Sequence, residues 1–248
     1  MRWIDNHCHM TLKESEGLLS EARAAKVERC IVIGTDRETS AEAQQVAQAH
    51  EGVWATAGIH PHEAEHGTDG ILELLDQPFV AAVGECGLDY FYDHSPRDKQ
   101  RSVFAEHIGW AHELDQTLVV HTRQAWDDTF AILDSEGIPP RTVFHCFTGG
   151  IAEAQEALSR GVSLSFSGIV TFPNAENVRE AVAACPLDQM LVETDAPFLT
   201  PVPYRGKPNA PANVVFVGQK LAETKRLPVA DIAEATWNNA SKLYRLDD

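Results

Sequence analysis

The feature that most restricts the fold of this chain is an alternation repeated along its whole length: a short β-rich apolar run, a longer amphipathic segment, then another run. Such runs fall at 3–9, 30–34, 53–59, 80–85, 117–121, 142–145, 162–166 and 190–194. Between them, 96–114 repeats Val103, Phe104, Ile108, Ala111 and Leu114 at close to helical spacing. The stretch AENVREAVAA after Asn174 reads as a helix capped by that asparagine, with Val178 and Val182 on one face. Strands that are apolar almost throughout and alternate strictly with helices imply parallel pairing under a helical cover. Eight such units in 248 residues predict an α/β fold, a (β/α)8 TIM-type barrel filling residues 1–248 as one domain. An open doubly wound sheet shares the alternation, but no GxGxxG or GxxxxGKS/T turn follows an early strand, which removes support for its nucleotide-binding versions. The connections 86–95 and 196–211, rich in Gly, Pro or Tyr, are the expected walls of a pocket.

Composition narrows the class of partner. With 44% hydrophobic and 23% charged residues the chain has the make-up of a soluble globular protein. Its start, MRWIDNHCHM, lacks the basic opening and apolar stretch of a secretory signal, and no apolar run reaches bilayer length, so a cytoplasmic protein without membrane contact is expected. Five cysteines without paired spacing predict reduced thiols. A formal charge of −17, from 20 basic and 37 acidic residues, argues against broad attraction to nucleic acid or anionic lipid. A polyanionic substrate would need local help from divalent cations and a few well-placed arginines. No feature of the sequence marks an obligate protein partner.

Metal-binding side chains recur at the carboxyl ends of the expected strands. His7 and His9 end the first, His60 the third with His62 just beyond, Glu85 the fourth, His121 the fifth, His145 the sixth and Asp195 the eighth. In a barrel these ends share one rim, where catalytic groups assemble. Five of the 11 histidines fall there, too many to assign to chance. His7 and His9, two apart on a strand, share a face and can chelate one ion, while Cys8 points the other way. The same parity sets Cys86 opposite Glu85 and Cys146 opposite His145, as small buried hydrophobes rather than thiolate ligands. Taken singly, each histidine is better explained as a hydrogen-bonded core or surface residue. Together, His7, His9, His121, His145, Glu85 and Asp195 suit a site for two divalent ions. His50, His66, His94, His107 and His112 lie in expected helices or loops and read as solvated.

The motifs DNHCHM (5–10), AGIHPHE (57–63), GECGLDYF (84–91), VVHTRQAW (119–126), FHCFTGG (144–150) and ETDAPFLTP (193–201) resemble, in order, those of the TatD family of metal-dependent deoxyribonucleases, a branch of the amidohydrolase-like barrels. The closing WNNASKLYRL is similar to the family's tail helix. The resemblance implies that His7, His9, Glu85 and Asp195 hold one metal and that Glu85, His121 and His145 hold a second, with Glu85 shared. It implies exonuclease-type hydrolysis of DNA phosphodiesters, on single strands or 3′ ends, by water activated between the ions with Asp195 as general base. Imidazole-rich ligation favours Zn, Mn or Fe, and Mg can act through the carboxylates. His60, His62, Arg123 and Arg205 are the expected phosphate contacts and Tyr90, with Phe91, a stacking surface; Glu193 is placed to orient a ligand histidine. The chain departs from the family pattern at Asn6, Cys86 and Phe91, none of them an implied ligand.

Two other readings remain open on sequence. One is an amidohydrolase-type enzyme acting on a lactone, amide or small phosphoester; several such barrels bridge their metals with a modified lysine at strand four, where this chain has Glu85 and no lysine. The other is a metal-binding scaffold without catalysis, disfavoured because such a scaffold has no need for a base such as Asp195.

Overall fold

The structure, a computed structural model, describes residues 1–246. Its eight strands are β1 (Trp3–Cys8), β2 (Val27–Val32), β3 (Val53–Ala57), β4 (Val80–Asp89), β5 (Thr117–Arg123), β6 (Thr142–Phe144), β7 (Ser163–Phe166) and β8 (Met190–Val192). Each pairs in parallel with the next, in sequential order through a single sheet, with helices between them. This is the expected (β/α)8 barrel. β4 runs on to Asp89, beyond the strand end expected at Glu85, and β2 starts at Val27, ahead of the expected Cys30.

The seam between β8 and β1 closes just past the strand ends. Asp195 N–H donates to the His7 carbonyl at 2.9 Å and His9 N–H to the Ala196 carbonyl at 2.7 Å. Below these, side chains complete the join. The Asp5 carboxyl group accepts the Thr194 N–H at 2.8 Å and the Thr194 hydroxyl at 2.6 Å. The Asn6 amide donates to the Val192 carbonyl at 2.6 Å and to Ser165 Oγ at 2.8 Å, while its oxygen accepts from the Tyr244 hydroxyl at 3.2 Å. Asn6, a departure from the family pattern, thus ties β1 to β7, β8 and the carboxyl-terminal helix.

Two apolar layers form the core. Inward side chains of six strands, Ile4, Ile31, Ala82, Val119, Val143 and Leu191, pack in one cluster with Trp237, Ala240, Leu243 and Tyr244 of the helix Val229–Tyr244. That helix closes the amino-terminal end of the barrel, leaving the other rim open for the polar groups. The larger layer lies between the outward strand faces and the surrounding helices. No helix among the described residues is long and apolar enough to cross a membrane.

The helix Arg97–Glu113 buries Val103, Phe104, Ile108 and Ala111 as expected. It also buries His107, contrary to the solvated reading: at the helical spacing of its apolar neighbours this imidazole faces inward, 0% exposed. Its Nδ1–H donates to the Val103 carbonyl at 2.7 Å and its Nε2 accepts the Ile59 N–H at 3.0 Å, fixing the backbone next to His60. The helix Glu176–Ala184 buries Val178 and Val182, but Ala175 stands at its N-cap, with no side-chain cap, where Asn174 was expected. Arg179 gathers the carbonyls of Val170, Phe172 and Pro173, fixing the backbone that leads into this helix.

Burial lowers the His107 pKa from 6.5 to about 4. The unfolded chain therefore takes up this proton first as pH falls, and stability present above about pH 6.5 is lost on the way down to about pH 4. Over that window His107→Gln, which cannot charge, should flatten the decline in unfolding free energy by roughly 3 kcal/mol relative to wild type, as read by urea denaturation at each pH. At neutral pH, Thr194→Val removes the hydroxyl that serves Asp5 while keeping the shape. A loss of about 1–3 kcal/mol is expected, and an unchanged urea midpoint would show that the Asp5–Thr194 bond does not support the seam.

Candidate metal centre

Closure of the seam brings the His7–His9 segment face to face with Asp195. His7 lies near the end of β1 and His9 just beyond it; Asp195 sits three residues past β8. His9 Nε2 is 3.4 Å and His7 Nε2 3.7 Å from Asp195 Oδ1. Across the barrel mouth, Glu85 is 3% exposed and divides its two oxygens between two sets of rings. Oε2 faces His7 Nε2 at 3.3 Å. Oε1 faces His145 Nε2 at 2.8 Å, His121 Nδ1 at 3.0 Å and His60 Nε2 at 3.5 Å. The six expected metal-binding residues therefore lie in one cluster, with His7, His121 and His145 facing Glu85 and His7 and His9 facing Asp195.

The donor set fits a divalent cation on two further grounds. His7 is fully buried, yet neither of its ring nitrogens has a hydrogen-bond partner among the described residues; the contact to Glu85 is near but poorly aligned. An orphaned buried imidazole is costly unless something else binds it. His121 Nδ1 and His145 Nε2 also point at each other across 3.2 Å while both address Glu85 Oε1. Ring nitrogens so arranged need a proton or a cation between them. The ligand atoms of His7, His9 and Asp195, and those of His60, Glu85 and His121, form groups that could each hold an ion.

The electrostatics follow from burial opposed by facing charge. Burial works against the Glu85 charge, but His145, His60 and the His121 hydrogen bond outweigh it and hold the carboxyl well below its usual range. Asp195 is likewise lowered, burial being overcome by His9 and His7. Burial would depress His145, yet Glu85 and Glu193 carry it well above 6.5. Where no carboxylate compensates fully, burial wins, and His60 falls well below 6.5.

Behind the ring nitrogens lie two supporting carboxylates. Glu193 Oε1 accepts the Cys146 N–H at 2.8 Å and stands 3.3 Å from His145 Nδ1; the sequence places it beside a ligand histidine without specifying which. Asp89 falls within the connection expected at 86–95. Instead it ends β4, buried, with Oδ2 3.1 Å from His62 Nε2 and 3.2 Å from His121 Nε2, while Oδ1 accepts the N–H groups of Phe91 and Tyr92 at 2.9 Å each. The signal was available: Glu85, Gly87 and Asp89 are two apart and share one strand face. Gly87 makes that extension possible, since a Cβ there would lie 2.0 Å from the His121 carbonyl oxygen.

The expected substrate contacts divide. His60 belongs to the Glu85 cluster itself and His62 to Asp89. Arg123 ends β5 with its guanidinium 4.0 Å over Phe91 and 4.8 Å over Tyr92, and that guanidinium makes no hydrogen bond or ion pair among the described residues. Arg205 stacks at 3.9 Å on Phe172 and donates to the Thr200 carbonyl. Tyr90, expected as a stacking surface, is turned into the helix layer, because strand parity sets it opposite Asp89. Its hydroxyl donates to Asp128 at 2.5 Å and its ring lies 4.1 Å beneath Arg97. Phe91 and Tyr92 are exposed at that corner instead. Of the cysteines, Cys8 and Cys86 are buried as parity requires, whereas Cys146 is half-buried with Sγ 3.2 Å from Ser167 Oγ; it follows the end of β6, where strict alternation has stopped.

Comparison with known proteins gives a consistent result. The family model described as TatD related DNase matches residues 4–245. A Bacillus subtilis relative, described as the uncharacterized metal-dependent hydrolase YabD, is 39% identical over 98% of this chain and 99% of its own length. The Escherichia coli K12 protein YcfH, described in the same words, is 36% identical over 98% of this chain and 96% of its own. The crystal structure of YjjV, a TatD homologue from Escherichia coli K12, superposes with a TM-score of 0.92 at 32% identity, covering 99% of both chains. With the full set of motif residues gathered on one rim and a family match spanning nearly the whole chain, this protein belongs to the TatD-related DNase family.

Proposed function

We propose that the protein is a metal-dependent hydrolase that cleaves phosphodiester bonds of DNA, as an exonuclease acting on single strands or 3′ ends. The observation that carries this reading is Glu85, whose two oxygens face separate sets of imidazoles, as a carboxylate shared by two cations would. His7, His9, Glu85 and Asp195 would hold one divalent ion, and Glu85, His121 and His145 the other, with Zn, Mn or Mg all compatible with these donors. Such ions, when bound, neutralise phosphoryl oxygens and acidify a water. Asp195, the most exposed of the ligand carboxylates and kept ionised by His7 and His9, is the base that takes the proton from the attacking water. Asp89 and Glu193 hold the His121 and His145 rings in place. His60 and His62 line the phosphate path. Arg123, with its donors uncommitted, offers the cation that a chain of charge −17 needs where a polyanion enters. Arg205 retains further N–H donors beyond the one given to Thr200.

The test is a parallel assay with Mn, Mg or Zn of end-labelled single-stranded DNA, a lactone and a phosphomonoester. Shortening of the DNA is expected; intact DNA beside an opened lactone would assign the site to amidohydrolase-type chemistry instead. Asp195→Asn should fold normally and lose at least roughly a hundredfold in turnover, so near-normal turnover removes Asp195 from the chemistry. Glu85→Ala should lose both ions, as measured by elemental analysis of the purified protein. One ion retained at full occupancy would contradict a shared ligand.

A further inference from the structure

At the mouth of the metal centre stands a side chain that neither the proposed ligand set nor the packing of the fold uses. Phe198, three residues beyond Asp195, is 60% exposed, the most exposed aromatic among the described residues. Its one ring neighbour there is His9, met edge-on at a centroid distance of 6.2 Å. An aromatic ring left in water forgoes the stabilisation of burial, and on a pliant loop it would fold down against the protein.

This loop holds it out. Phe198 N–H donates to the Asp195 carbonyl at 2.8 Å, and its own carbonyl accepts from Asn209 Nδ2 at 2.7 Å. Asn209 is buried, and the same amide group donates to the Thr194 carbonyl at 2.9 Å, so one side chain clamps the loop to the end of β8. The next residue, Leu199, packs its carbonyl oxygen against Gly168, where a Cβ would lie 1.9 Å away. The ring is thereby presented from a fixed backbone beside His9 and Asp195. The stretch 196–211 carries Arg205 and Lys207 and no acidic residue, in a chain whose formal charge is −17.

We propose that Phe198 is a specificity-determining residue: a platform on which the nucleobase next to the scissile phosphate stacks. The inference rests on the DNase reading above and adds to it how the strand is held. A DNA strand with a phosphate at the cluster carries a base one sugar away, and every base has a π-face, so a lone exposed ring serves all four with little sequence preference. A lactone or small phosphoester would leave the ring without a partner. The positive loop favours the same strand electrostatically.

The experiment compares wild type, Phe198→Ala and Phe198→Trp on a single-stranded oligonucleotide and on its counterpart with abasic tetrahydrofuran nucleotides, in the presence of Mn. Phe198→Ala should lose about tenfold to a hundredfold in kcat/KM on the normal strand, chiefly through KM. Phe198→Trp should retain activity, and on the abasic strand all three proteins should be equally slow. Equal fractional loss on both strands, or no loss on either, overturns the inference while leaving the DNase reading intact. So does a change of oligomeric state in Phe198→Ala by analytical ultracentrifugation that accounts for the lost activity. A wild-type enzyme inert towards both strands overturns the DNase reading and this inference together.

Discussion

Two backbone hydrogen bonds, from Asp195 to the His7 carbonyl and from His9 to the Ala196 carbonyl, join the end of the last strand to the end of the first. Everything at the rim depends on that join. The bonded backbone and the clustered side chains belong to the same few residues, so barrel closure and assembly of the site are one event. The supports beneath it are side chains of β1 itself: Asp5 reaches Thr194, and Asn6 reaches Val192, Ser165 and Tyr244. A barrel open at this seam would separate His7 and His9 from Asp195 and draw His7 away from Glu85.

Glu85 presents the opposite problem, a charge where an apolar strand would otherwise continue. Moving a carboxylate out of water costs several kcal/mol unless other groups replace the lost solvation. Here four imidazoles surround it, and two of them, His121 and His145, are backed in turn by Asp89 and Glu193. The result is an alternation of acids and histidines running from Asp195 through His7, Glu85 and His121 to Asp89. Asp89 extends that order outward, because its second oxygen binds the backbone of Phe91 and Tyr92 and thus sets the corner against which Arg123 lies. The exposed side of the site is in this way built from the same strand as its centre.

Much of this was legible in the amino-acid order. Eight apolar runs separated by amphipathic segments specify parallel strands under helices, and the placing of His7, His9, Glu85, His121, His145 and Asp195 at run ends puts them on one rim whatever the details of packing. Parity read correctly for Cys8 and Cys86. It was not carried far enough at Asp89 and Tyr90: the GLDYF stretch looks like a turn, but a strand continues through it, so Asp89 faces the site and Tyr90 faces the helices. His107 differs from its solvated reading because a helix has an inner face too, and a neutral imidazole that satisfies both of its nitrogens can occupy it.

What the sequence determined by itself was therefore periodicity and position: which residues lie on strands, which face they share, and which end of the barrel they reach. These are local properties, set by a two-residue repeat and by the fixed direction of parallel strands. Tertiary structure alone decided how the two oxygens of Glu85 divide between His7 and the His121–His145 pair, that Arg123 remains uncommitted while Arg205 lies against Phe172, and that Asn209 holds Phe198 out beside His9. Those outcomes depend on distances between residues far apart in the chain. They exist only once the folded barrel has brought those residues within reach of one another.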